Sequence, residues 1–137
     1  RTSAADPGTV DAAMLPGTGL LVIAADRIEA SHNRFERNET YASVVLSLAN
    51  SFLPGNDSTE IDPNTDHLYI HRNRYSENGT KASVQFQKAF PNRPPGDFYW
   101  DSAGERNQWQ ESGEFRSIPE NLVQEQGVAH TNVIDFV

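Results

Sequence analysis

His67, Tyr69 and His71 fall within five residues of one another, with Arg72 and Arg74 directly behind them. A histidine or tyrosine held against a carbon next to a carboxylate can take its proton, and a guanidinium neutralises the carboxylate as that happens. The spacing therefore allows proton abstraction at a uronate, with Tyr69 and His71 as general acid and base and Arg72 and Arg74 as neutralising groups. In a strand, side chains alternate, so Tyr69 and His71 share one face, Leu68 and Ile70 take the other, and His67 sits where the strand begins. The competing reading is plain outward decoration of a strand, which leaves the chain without catalytic residues. His32 and His130 have no evident partners, and the sequence holds no phosphate loop, nucleophile motif or metalloprotease motif.

Other constellations suggest binding. Arg34 and Arg74 lie forty residues apart in matching contexts, and guanidiniums so aligned suit an anionic polysaccharide or, alternatively, stems packed over rings and paired with Glu36 and Glu77. Trp100 and Trp109, with Phe98 and Tyr99, either stack on sugar rings or close a core. Asp57, Glu60, Asp62 and Asp66, among Asn56, Ser58 and Asn64, offer hard oxygen ligands for Ca²⁺, without the spacing of a calcium-loop motif. A solvated polar loop is the favoured account of them. Otherwise nothing calls for a cofactor. Asn38, Asn56 and Asn78 begin Asn-X-Ser/Thr acceptor sites for glycans.

A forty-residue repeat has to position these groups. Residues 28–38 match 68–78, aligning Ile28 with Leu68, Ala30 with Ile70, Asn33 with Asn73, Phe35 with Tyr75 and Asn38 with Asn78. Short apolar runs between polar corners predict stacked parallel strands, with Asn33/Asn73 and Asn38/Asn78 as corner ladders in left-handed conformation and Phe35 stacked on Tyr75. Helices through these segments would put Asn, His and Arg in their cores and are rejected. Leu20, Val44 and Val84 read as equivalent core positions. The first pair is twenty-four residues apart and the second forty, so the excess of sixteen is assigned to a loop over residues 50–66.

Three regions follow: an irregular opening segment, 1–18; stacked coils, 19–90, carrying that loop; and an irregular C-terminal cap, 91–137, in which one further coil is plausible. Nineteen acidic against eleven basic residues give a net charge of −8, which disfavours a nucleic-acid partner. Cysteine is absent, excluding disulfides and thiol chemistry, and no apolar run is long enough to span a membrane. Arg1 follows no initiator Met and no apolar leader, so the chain is read as a piece of something longer.

Residues 16–26, 33–38, 69–79 and 100–109 together resemble the last coils and cap of right-handed parallel β-helix repeat proteins, the superfamily that includes the pectate lyases. The resemblance implies an all-β right-handed solenoid of about three to four coils in an exported, extracellular or periplasmic protein. It names no chemistry, because that fold carries lyases, epimerases and scaffolds alike. The leading expectation is a non-catalytic scaffold with a carbohydrate- or protein-binding surface. A polysaccharide lyase or epimerase acting on uronate polymers is the alternative. The third reading is an assembly subunit whose open N-terminal edge receives the remaining coils of the same protein or another chain.

Overall fold

A computed structural model of the chain describes residues 16–50, 57, 59–101, 104–111 and 115–118. The opening segment up to residue 15, Asn56, Ser58 and the part of the expected cap beyond 118 lie outside the described residues. The described part is mostly strand, and every strand pairing is parallel. The strands are β1 (Thr18–Ile23), β2 (Glu29–Ser31), β3 (Arg34–Glu36), β4 (Tyr41–Leu46), β5 (Tyr69–His71), β6 (Arg74–Ser76), β7 (Gly96–Asp101), β8 (Gln108–Gln110) and β9 (Ser117–Ile118). They form three small sheets in the orders β1-β4-β7-β9, β2-β5-β8 and β3-β6.

The forty-residue repeat is the register of β2 on β5 and of β3 on β6. Ala30 pairs with Ile70, and Phe35 with Tyr75. The first sheet runs differently. Thr18 pairs with Tyr41, which sets Leu21 rather than Leu20 beside Val44; Val44 then pairs with Tyr99. The expected equivalence of Leu20, Val44 and Val84 is therefore corrected. A one-residue slip would exchange the two faces of β1, and both faces are specified by burial. Val84 lies instead on α1 (Val84–Ala89), 61% exposed. That helix begins where the Ser83 Oγ accepts the N–H of Phe86.

The two faces of the first sheet bury different clusters. On one face Val22, Val45 and Trp100 meet Ala30, Ile70 and Trp109 of the second sheet, with Tyr75 of the third packed against them. On the other, Val44, Leu46 and Tyr99 are covered by Phe86 of α1. This two-sided cover is why β4, sequence Tyr-Ala-Ser-Val-Val-Leu, is buried at every position.

Left-handed backbone marks the corners, though not at the asparagines. It falls one residue earlier, at His32 and Arg72 and at Arg37 and Glu77, and again at Arg27, His67 and Arg106. The asparagine expectation is thus corrected, and the reason is geometric. The left-handed residue turns the chain, leaving the next side chain free to reach the neighbouring strand's backbone. Gly79 is also left-handed, and a Cβ there would meet Gly96 at 2.5–2.6 Å, so backbone approaches backbone at that corner. Thr65 and Asp66, expected inside the inserted loop, belong to the stack: Thr65 is fully buried, and the N–H of Asp66 donates to Asp26 Oδ1.

Candidate functional site

Alternation along β5 puts Tyr69 and His71 on the face away from the core, where His71 is nevertheless covered and only 9% exposed. Leu68 and Ile70 are buried, while the Tyr69 and His71 rings stack on each other with centroids 3.9 Å apart. The stack is tied across strands on both sides. His71 Nε2 meets Glu29 Oε1 of β2 at 2.7 Å, and the Tyr69 hydroxyl donates to Gln110 Oε1 of β8. The His32 ring lies edge-on to His71 at 6.3 Å. A carboxylate on an imidazole is the arrangement that orients a general base, and here it stands next to a phenol.

The outer row of the third sheet is basic. Arg34 and Arg74 are register partners and both are exposed. Arg34 Nε pairs with Glu36 Oε1 at 2.6 Å, and Arg37 Nε with Glu77 Oε2 at 3.0 Å. Arg74 makes no ion pair among the described residues. Arg72 is exposed at the corner between β5 and β6.

The tryptophans sit elsewhere. Trp100 and Trp109 are 3% and 6% exposed inside the shared cluster, where the Trp109 and Phe98 ring centroids are 4.5 Å apart. They offer no face to a sugar ring, because the parity of β7 and β8 turns them inward. The four loop acids do not converge. Asp57, Glu60 and Asp62 are exposed, Asp62 Oδ1 accepts from the N–H of Asn64, and Asp66 Oδ1 accepts from the N–H of Glu105. Among the described residues no three His, Asp or Glu side chains come together around a metal position.

The ladders hold these surfaces in register. Asn73 Oδ1 accepts the backbone N–H of Asn33 at 2.9 Å and its Nδ2 at 3.1 Å; Asn78 Oδ1 does the same for Asn38 at 3.1 and 2.9 Å. Phe35 stacks on Tyr75 with centroids 5.3 Å apart. The amides of Asn38 and Asn78, two of the three glycan-acceptor positions, are thus occupied by structure.

Two groups escaped the sequence reading. Glu29 was within reach, because carrying the forty-residue shift back from Tyr69 lands on it, one diagonal step from His71. Glu111 was not, since it lies thirty-eight residues beyond Asn73 and carries no amide. It is 2% exposed and does for Asn73 what Asn73 does for Asn33, accepting its N–H at 3.0 Å and its Nδ2 at 2.7 Å. The Tyr75 hydroxyl also donates to it, at 3.0 Å. Burial raises the Glu111 pKa above the ordinary carboxylate value, opposed in part by the bonds from Asn73 and Tyr75. Burial and the Glu111 charge both hold the Tyr75 hydroxyl protonated.

No family profile, curated protein or solved structure matches this chain.

Proposed function

We propose that the parallel sheets are successive turns of a right-handed β-helix, with an irregular C-terminal cap, in the last part of a longer exported protein. Its role is that of a non-catalytic scaffold whose outer surface binds a carboxylate-bearing polysaccharide. Support for the stacked-turn architecture comes from the repeated register and from the asparagines that join one turn to the next. The binding role rests on one observation: Arg34 and Arg74 are adjacent and exposed on neighbouring strands, and Arg74 has no acidic partner among the described residues. Arginines on register positions of strands about 4.8 Å apart suit a polymer that presents carboxylates in series. With both tryptophans in the core, the aromatic half of the expected surface drops out. The extracellular or periplasmic setting is part of the same proposal.

A second reading is favoured by the contact between Glu29 and His71. It makes the chain a lyase or epimerase in which His71, oriented by Glu29 and stacked on Tyr69, takes the proton while Arg72 or Arg74 neutralises the uronate. Incubation with alginate or pectin separates the two. The scaffold retains polymer on a column and releases no unsaturated product. Unsaturated product that disappears in His71→Ala would replace the scaffold with the enzyme.

A further inference from the structure

Asn78 and Gly79 form the one Asn-Gly pair in the chain, the dipeptide most prone to lose ammonia, because a glycine nitrogen carries no neighbouring Cβ to hinder its attack on the asparagine side chain. The pair sits at the corner after β6, and both residues are buried, Asn78 to 4% exposure. The fold occupies the atoms that would react. The Gly79 N–H donates to the Asn38 carbonyl at 2.7 Å, and Asn78 Nδ2 donates to the Phe35 carbonyl at 2.8 Å. Arg116 holds the two carbonyls of the pair, with Nη2 on that of Asn78 at 2.6 Å and Nη1 on that of Gly79 at 3.3 Å.

Deamidation begins when base removes the Gly79 amide proton. The freed nitrogen bonds to Asn78 Cγ, the Cγ–Nδ2 bond breaks, and ammonia leaves with the proton returned by that base. Water then opens the succinimide at Cγ, giving aspartate, or at the main-chain carbonyl carbon, giving isoaspartate. The backbone N–H and Nδ2 of Asn38, both bonded to Asn78 Oδ1, polarise the carbonyl under attack. That help is outweighed. The proton to be removed rests on a carbonyl, which cannot take it, the nitrogen to be expelled is held by another, and both residues are closed to solvent base.

We propose that Asn78-Gly79 is a self-modification site gated by this corner: inert while Asn38, Phe35 and Arg116 hold it, deamidating when they part, and unable to rejoin afterwards. Aspartate only accepts, so the Phe35 carbonyl loses its donor and a charge enters a buried position. Isoaspartate adds a main-chain carbon beside Gly79, where a Cβ would already meet Gly96 at 2.5–2.6 Å. The other ladder asparagines are spared, since Arg34, Glu39, Arg74 and Gln108 follow Asn33, Asn38, Asn73 and Asn107 and hinder the same attack. Nothing in this chemistry depends on what the outer surface binds.

The whole chain is incubated in mildly alkaline buffer, with and without denaturing urea, and peptide mapping by mass spectrometry follows conversion at Asn78. In urea Asn78 should convert faster than every other asparagine, and Gly79→Ala should remove most of that rate. Without urea, conversion should be about a hundredfold slower or more, reduced by the fraction of time for which the corner is closed. Arg116→Ala should raise the rate in buffer about tenfold and leave the rate in urea unchanged. Conversion as fast in buffer as in urea, or an unchanged rate in Arg116→Ala, overturns the gate; should that variant unfold, the wild-type comparison decides. Anion exchange separates the converted protein, whose Asn38 amide should lose its protection against hydrogen exchange. Protection equal to that of the intact protein overturns the one-way step.

Discussion

Asn78, just after β6, lies directly against Asn38, just after the paired strand β3, takes its backbone N–H at 3.1 Å, and is itself 4% exposed. Because its Nδ2 also serves the Phe35 carbonyl at 2.8 Å, one side chain satisfies a donor and an acceptor that would otherwise be stranded.

Asn78→Ala should therefore cost about 1–3 kcal/mol, the penalty for leaving buried polar groups unpaired. Asn33→Ala should cost less, since Asn33 is exposed. Urea denaturation midpoints for the two variants check the order. Equal losses would mean that burial of the amide is not what matters.

Glu111 predicts the pH dependence. Its folded pKa is raised by burial, so the folded state holds the proton more tightly than the unfolded chain does. Its contribution is therefore most favourable below the ordinary carboxylate value of about 4.3 and is lost as pH rises through the raised folded value. Glu111→Gln removes that slope. Thermal unfolding of both proteins across this window should show wild type losing stability relative to the variant as pH rises; parallel curves would contradict it.

Arg74→Ala should weaken polyuronate retention several-fold while leaving the unfolding free energy within about 0.5 kcal/mol of wild type, as expected for an exposed side chain. Added salt should weaken the wild-type interaction in the same direction. Retention by Arg34→Ala/Arg74→Ala equal to wild type would remove the binding surface from this row.

Phe86→Ala should cost about 3–5 kcal/mol, because Phe86 is fully buried and carries the contact between α1 and the outer face of the first sheet. The loss should fall on Tyr41 and Tyr99, whose ring centroids lie 5.2 and 5.8 Å from that of Phe86. Near-ultraviolet circular dichroism should change while the far-ultraviolet strand signal persists.

The pairings of β2 with β5 and of β3 with β6 were legible in the sequence because both repeat with the same spacing of forty residues, which placed Asn33 against Asn73 and Phe35 against Tyr75. The first sheet was not. Its spacing changes from twenty-three residues between β1 and β4 to fifty-five between β4 and β7, since the loop after Leu48 and the helix carrying Phe86 intervene. Val84 misled for the same reason, as an aliphatic in a short amphipathic helix looks like a strand residue until the helix is seen. At the candidate site, Tyr69 and His71 follow from alternation alone, whereas Glu29 needs the register and Glu111 needs the three-dimensional end of the ladder.

The central claim is the parallel stacking of one turn on the next, and the absence of native cysteines makes a direct test clean. Glu36 and Ser76 are register partners in adjacent parallel strands, where Cα atoms about 4.8 Å apart lie within disulfide reach. Air oxidation of Glu36→Cys/Ser76→Cys should close an intramolecular disulfide in nearly all molecules, and Glu36→Cys/Lys88→Cys should stay reduced. Failure of the first pair to close, or closure of both alike, would contradict the stacked register.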